Sequence, residues 1–188
     1  MEVKTIAVIG AGLVGRGIAH AAALGGYATV LEDVSDTILA NGMAWIRETL
    51  DEDVRYGKLE AAVRDAALAC ISTSQVVDLA IRDAELIIEA VADELEMKLE
   101  LFTIFDKFAK PGAIFASAAS SLSIGDFIDV VVHPERCIGM RFFDAGFQDN
   151  QVEIIRTPRT SEETVATCVT VAKRMARQPL IIKDAGGN

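Results

Sequence analysis

Short apolar runs alternate with longer amphipathic stretches along most of the 188-residue chain. Runs typical of buried β-strands cover residues 6–9, 28–31, 71–74, 86–91 and 113–116. Helical periodicity fills much of the sequence between them. Strands that alternate with helices are typical of βαβ units, and therefore of a parallel sheet with helices on both faces. The pattern predicts an α/β fold with a doubly wound, mostly parallel sheet.

Two regions depart from simple alternation. Residues 36–69 have a helical pattern that breaks near Tyr56, which predicts an inserted helical pair where an ordinary unit has one helix. Cys137–Phe143 and Gln151–Arg156 have the composition of strands and are separated by a short loop, which predicts antiparallel edge strands. A last helix begins near Thr160–Glu163, where the spacing is that of a capping box, and a final strand covers 180–182.

A glycine-rich turn follows the first strand directly. Gly10, Gly12 and Gly15 fit the G-x-G-x-x-G pattern: the first permits a tight turn, the second lets a pyrophosphate approach the backbone, and the third lets the next helix pack closely. Leu13 and Val14 lie at the start of that helix, whose free N–H groups would bind the phosphates. The pattern predicts a Rossmann-type dinucleotide site, with a purely structural turn as the alternative.

Asp33 ends the second strand, at about the distance from the glycine motif where such sites carry an acidic residue. A carboxylate there can accept hydrogen bonds from the ribose hydroxyls of the adenosine, and it would repel a 2′-phosphate. NAD is therefore predicted as the cofactor in preference to NADP. The alternative is that Asp33 only caps a turn.

Charge and cysteine usage exclude several classes of protein. The net charge is −10, which argues against nucleic acid or an anionic membrane as a partner. Cys70, Cys137 and Cys168 are widely spaced and show no metal-ligand pattern, so we predict buried thiols and no metal site. With no signal peptide, transmembrane run or linker, we expect one cytoplasmic NAD-binding domain over residues 1–188.

Together these features resemble the NAD-binding domain of the L-3-hydroxyacyl-CoA dehydrogenase family. Beyond the glycine motif, Asp33 and the helical pair, the matching segments are Glu89-Ala90-Val91, Glu100-Leu101-Phe102, Phe115-Ala116-Ser117, Ser120-Ser121-Leu122, Phe142-Phe143, Val152-Glu153 and Lys183-Asp184. The resemblance implies a doubly wound sheet followed by a helical dimerisation domain, which we expect to be absent from residues 1–188. The resemblance therefore implies that further copies of this chain are candidate partners, in a homo-oligomer.

The resemblance also implies further cofactor-binding positions. These are Ala90, Val91, Asp93, Lys98, Ser117 and Ala118. Asp93 stands where the family has glutamate, and Ala118-Ala119 stands where the family has Asn-Thr. The second change removes an amide that lies near the nicotinamide in the family.

The catalytic positions implied by the resemblance are Ser120, Arg141 and Glu153. In the family a histidine, oriented by a glutamate, takes the proton of the substrate hydroxyl during hydride transfer to NAD. Ser120 matches the family serine and Glu153 the glutamate, but the histidine position is Arg141. A guanidinium has no acceptor site and stays charged, so it cannot replace imidazole as a base. The remaining histidines, His20 and His133, are not expected to substitute for it.

Three functions follow as alternatives. The first is a 3-hydroxyacyl-CoA dehydrogenase-like oxidoreductase that binds NAD and an acyl-CoA. The second is a catalytically silent NAD-binding module. The third is a dehydrogenase of a different hydroxy acid, in which Arg141 binds the substrate carboxylate through two hydrogen bonds.

Overall fold

The structure is a computed structural model that describes residues 1–143 and 150–184. Its strands are β1 Thr5–Ile9, β2 Ala28–Glu32, β3 Ile71–Ser74, β4 Leu86–Glu89, β5 Ile114–Ser117, β6 Cys137–Phe142, β7 Gln151–Arg156 and β8 Gln178–Lys183. Its α-helices are α1 Leu13–Leu24, α2 Asp36–Arg55, α3 Ala61–Ala69, α4 Val77–Ile81, α5 Leu95–Phe108 and α6 Glu162–Arg174. Three short 3₁₀ helices, Ile124–Asp126, Ile128–Val130 and Pro134–Arg136, lead into β6.

All eight strands form one sheet in the order β3-β2-β1-β4-β5-β6-β7-β8. Strands β1 to β6 run parallel to one another, whereas β7 is antiparallel to β6. The predicted doubly wound sheet and its antiparallel pair are thus confirmed. Strand β8 then runs parallel to β7 along the outer edge. Most of the loop between β6 and β7, residues 144–149, lies outside the described residues.

The strands are apolar because both faces of the sheet are covered. In β1, Ile6 and Val8 pack into a core with α1, α2 and α6, while Ala7 and Ile9 pack into a second core with α4 and α5. All four residues are buried. A strand that alternates between two cores has no polar face, which explains its continuous apolar run.

The inserted helical pair is confirmed as α2 and α3. Ser35 caps α2, since its hydroxyl accepts a hydrogen bond from the Ile38 amide. The helix ends at Arg55, and Gly57 adopts a positive φ of 70° in the turn that follows. Positive φ is strained for residues with a side chain, so Gly57 fixes where the two helices separate.

Three local differences from the sequence prediction bear on the site. Strand β4 ends at Glu89, so Ala90 and Val91 lie in a loop. Helix α4 and the three 3₁₀ turns were not predicted.

Among the described residues, no helix is both long and apolar enough to cross a membrane. The same residues contain no cluster of three or more His, Cys, Asp or Glu side chains suited to a metal ion.

Candidate cofactor and active site

The glycine-rich loop lies at the carboxyl end of β1 and is shaped by close backbone contacts. Gly10 has φ of 99°, and a Cβ there would lie 2.9 Å from the Ala90 carbonyl oxygen. A Cβ on Gly15 would lie 1.7 Å from the Gly10 carbonyl oxygen. A Cβ on Gly12 would meet nothing within 4 Å. Gly10 and Gly15 are thus required by packing, whereas Gly12 leaves bare backbone facing open space, as an approaching phosphate needs.

Helix α1 begins directly after Gly12, which is its N-cap residue. Leu13 and Val14 form the exposed first turn of the helix, and Gly15 is buried beneath them. The first N–H groups of a helix have no partner within the helix, and its N-terminus carries a partial positive charge. An anion at this place would therefore meet both backbone donors and a favourable field.

Asp33 links the end of β2 to the glycine-rich loop. One carboxylate oxygen accepts a hydrogen bond from the Ala11 amide at 3.0 Å, and the other accepts one from the Ser35 amide at 3.0 Å. Each oxygen retains a further lone pair with which a ribose hydroxyl can be bound. The contact between Asp33 and ribose stays a prediction.

An apolar cavity of about 320 Å³ lies beside the loop, on the side of the sheet covered by α4 and α5. Its walls are formed by Ile9, Gly10, Glu32, Asp33, Val34, Val77, Val91, Met97, Glu100, Leu101 and Ile104. The predicted cofactor residue Val91 therefore lies at a cavity wall. Most of these side chains are apolar, and the cavity is continuous with Gly10 and Asp33. It suits a flat aromatic ring attached to a ribose and a pyrophosphate.

Glu32 also lines this cavity, although its position in the sequence did not predict a role in the site. The side chain is 2 % exposed, and burial together with the neighbouring charge of Asp33 raises its pKa to about 7. Strand alternation could have revealed it, because Glu32 falls on the same side of β2 as Val30, which packs against the second core.

A buried charge cluster lies beneath the cleft. The Lys98 ammonium donates to both carboxylate oxygens of Glu89 at 2.8 Å, and all parts of both side chains are buried. Glu89 also accepts hydrogen bonds from the Val91 amide at 2.8 Å and the Ser117 hydroxyl at 2.6 Å. Lys98 and Ser117 were predicted to contact the cofactor. Both are fully buried and bonded to Glu89, so a cofactor contact for them stays a prediction.

Asp93 connects this cluster to the loop that follows β5. One of its oxygens lies 3.3 Å from the Lys98 ammonium. The other accepts hydrogen bonds from the amides and hydroxyls of both Ser120 and Ser121, at 2.8–2.9 Å. Burial alone would raise the pKa of Asp93, but these hydrogen bonds hold it below its ordinary value. Asp93 therefore fixes the position of Ser120.

Arg141 and Glu153 face each other across β6 and β7. The Arg141 Nη1 donates to a Glu153 carboxylate oxygen at 3.1 Å, and its Nε donates to the Ala119 carbonyl oxygen at 3.1 Å. The guanidinium thus joins the edge strands to the loop next to Ala118. Arg141 and Ser120 also line a second, polar cavity of about 440 Å³.

Two histidines and a cysteine, His20, His133 and Cys137, lie away from Ser120. His20 is buried against the Trp45 ring, and burial lowers its pKa to about 4. His133 pairs with Glu135 and precedes β6 at the amino end of the sheet, opposite the end that carries Ser120. Burial raises the pKa of the Cys137 thiol to about 12. None of these three groups is placed to take a proton in the cleft.

Comparison with known proteins places this geometry in a family. Residues 5–185 match the model of the 3-hydroxyacyl-CoA dehydrogenase NAD-binding domain. The mitochondrial hydroxyacyl-coenzyme A dehydrogenase of Mus musculus is 35 % identical over 190 residues, which cover 98 % of this chain and 60 % of the mouse protein. The fatty acid oxidation complex subunit alpha of Shewanella halifaxensis is 33 % identical over 187 residues, which cover 99 % of this chain and 26 % of that subunit.

Solved structures agree with the sequence relatives. The (S)-3-hydroxybutyryl-CoA dehydrogenase of Ralstonia eutropha superimposes with a TM-score of 0.93 at 32 % identity, over 99 % of this chain and 65 % of that one. The 3-hydroxybutyryl-CoA dehydrogenase of Escherichia coli gives a TM-score of 0.94 at 29 % identity, over 98 % of this chain and 39 % of that one. This chain thus spans less than two thirds of these relatives. It belongs to the 3-hydroxyacyl-CoA dehydrogenase family and is an NAD-binding domain of that family.

Proposed function

We propose that the domain holds NAD along the carboxyl ends of β1, β4 and β5, within an oxidoreductase that acts on a 3-hydroxyacyl substrate. The observation that carries this proposal is the bare backbone at Gly12, which opens the start of α1 to a pyrophosphate. Asp33 then lies where the adenosine ribose would follow, and the apolar cavity where the base would follow. The nicotinamide end extends toward Ser120, the loop residue that Asp93 fixes.

When bound, NAD supplies an acceptor for the hydride that leaves the substrate carbon. The chain itself orients the substrate. The Ser120 hydroxyl donates to Asp93, so its oxygen remains able to accept a hydrogen bond from a substrate hydroxyl. Arg141 can donate to a substrate oxygen, and Glu153 holds the guanidinium in place. Arg141 cannot remove the proton of that hydroxyl, because all of its nitrogens are donors or charge carriers.

We therefore expect negligible oxidation of 3-hydroxyacyl-CoA by this domain. General-base catalysis commonly contributes about 10²–10⁴-fold, and this contribution is absent when arginine occupies the position of the base. The test follows the absorbance of NADH formed from a 3-hydroxyacyl-CoA, with the parent chain and with Arg141→His. We expect negligible turnover by the parent. Arg141→His should recover some turnover but stay below the rates of the family, since Ala118 still replaces the family asparagine near the nicotinamide. Fast turnover by the parent would contradict this part of the proposal.

The polar cavity favours a second candidate, oxidation of a free hydroxy acid. Arg141 and Lys183 line it together with Ser120, Asp126 and Asp184, so a carboxylate bound beside Arg141 would meet a guanidinium and the Ser120 hydroxyl. The same absorbance assay, with free 2- and 3-hydroxy acids in place of the thioester, distinguishes the candidates. Turnover of a free acid that Arg141→Gln abolishes would support it. No NADH from any substrate, together with intact NAD binding, would support the catalytically silent module.

Cytoplasmic location and a homo-oligomeric state also belong to the proposal. The mouse relative is mitochondrial by name, so a mitochondrial location is the alternative. Fractionation of the host cell and sedimentation of the purified chain are the direct tests.

A further inference from the structure

Glu32 is an acidic side chain inside an apolar cavity. It is the last residue of β2 and lies on the side of the sheet that α4 and α5 cover. The cavity of about 320 Å³ around it is otherwise lined mainly by aliphatic side chains, among them Val77, Val91 and Leu101. Gly10 and Asp33 line the same cavity, so it is continuous with the sites proposed above for pyrophosphate and ribose.

One oxygen of the Glu32 carboxyl group has no hydrogen-bond partner among the described residues. The side chain is 2 % exposed, so bulk water does not satisfy that oxygen. A buried polar atom without a partner is costly, and native proteins rarely retain one unless a ligand or an ordered water satisfies it. Together, the cavity and the unsatisfied oxygen point to a ligand with a polar edge.

The surroundings of Glu32 favour its neutral form. Strands β1 and β3, on either side of β2, carry no titratable side chain. The helices packed against this face contribute, in the turns next to the cavity, Asp78, Glu96, Lys98 and Glu100. Lys98 is directed to Glu89 and Asp93, and the other acids lining the cavity are Asp33 and Glu100. Burial and the Asp33 charge accordingly raise the pKa of Glu32 to about 7.

A neutral carboxyl group offers one donor and one acceptor side by side. Adenine offers the complementary pair on one edge, with an amino group next to a ring nitrogen that accepts. An ionised carboxylate would match only the amino group and would face the lone pair of the ring nitrogen. The adenine edge therefore matches the neutral form of Glu32 better than the ionised form.

We infer that Glu32 recognises the adenine base of the dinucleotide in its protonated form, and that NAD affinity in this chain consequently falls as the pH rises above neutrality. The inference rests on the proposed function, because it places the adenosine half of NAD in this cavity. It adds a specificity-determining residue and a pH response that the glycine loop and Asp33 do not provide.

The test is calorimetric titration of the chain with NAD at pH 6, 7 and 8. If only the protonated form binds, affinity falls about ten-fold between pH 6 and pH 8 for a group that titrates near pH 7. Glu32→Gln keeps a donor and an acceptor of the same shape but does not titrate, and glutamine pairs with the same adenine edge. It should bind with the parent's pH 6 affinity at all three values. Glu32→Leu should bind weakly at all three.

Two controls locate the effect. Glu100→Gln removes the neighbouring acid of the cavity wall and should preserve most of the pH dependence. ADP-ribose, which lacks the nicotinamide, should show the same dependence as NAD. A parent affinity that is constant from pH 6 to pH 8, or a Glu32→Gln variant that still responds to pH, would overturn the inference alone. Failure of every variant to bind NAD at any pH would overturn the proposed function as well.

Discussion

The Lys98–Glu89 pair provides a strong test of how this fold is held together, and the perturbation is Lys98→Met. Both side chains are fully buried, and the ammonium donates to both carboxylate oxygens at 2.8 Å. Methionine has a similar length and no charge, so it leaves the buried Glu89 carboxyl group with only the Val91 amide and the Ser117 hydroxyl as donors. Breaking a buried ion pair by removing one partner costs about 3–5 kcal/mol.

That cost is a large part of the total stability of a domain, which is about 5–15 kcal/mol. Urea denaturation monitored by circular dichroism measures this loss of stability directly, as a lower denaturation midpoint at an unchanged slope. Lys98→Met/Glu89→Gln removes both charges and should recover part of the loss. Lys107→Met changes an exposed lysine of the same helix and should stay within about 0.5 kcal/mol of the parent. A loss below about 1 kcal/mol for Lys98→Met, or no recovery in the double variant, would refute the reasoning.

Two other predictions concern the pH dependence of stability and the outer edge of the sheet. Glu32 has a folded-state pKa of about 7, above its ordinary 4.5, so it favours the folded state below pH 4.5 and this contribution is lost as the pH rises to 7. The free energy of unfolding of Glu32→Gln, measured by urea denaturation, should therefore rise by up to about 3 kcal/mol relative to that of the parent between pH 4.5 and pH 7. A difference in unfolding free energy that stays constant over this pH range would contradict the raised pKa. On β8, Leu180 and Ile181 are 50 % and 52 % exposed, and an edge strand with apolar side chains favours association. Sedimentation should show weak self-association that Leu180→Lys reduces. Helix α6, whose Val165 is buried, should take no part in the contact. A strict monomer at high concentration would contradict this prediction.

Much of the fold was predictable because the sequence pattern is set by burial on both faces of the sheet. Apolar runs predicted β1 to β5, and the short polar loop predicted the antiparallel pair. Helix α4 has only five residues, too few for a helical period to emerge. The 3₁₀ turns before β6 are held by local i→i+3 hydrogen bonds, which leave no apolar periodicity.

The site was predictable where it depends on backbone geometry and less so where it depends on burial. Gly10 and Gly15 follow from close packing, and the Arg141–Glu153 contact follows from strand pairing. The sequence analysis placed Lys98 near the cofactor but did not predict its burial on the stripe of α5 that carries Phe102 and Phe105. The spacing of these three residues indicates one buried face, but a charged residue is rarely fully buried without a partner, and the partner, Glu89, lies on β4, a separate element.

The most direct test of the account is calorimetric titration of the purified chain with NAD and with NADP near pH 6. We expect NAD to bind at one site and NADP to bind more weakly, because Asp33 would face the 2′-phosphate. Asp33→Ala should weaken NAD binding and reduce the difference in affinity between the two cofactors. Equal affinity of the parent for NAD and NADP, or no binding of either, would contradict the central claim.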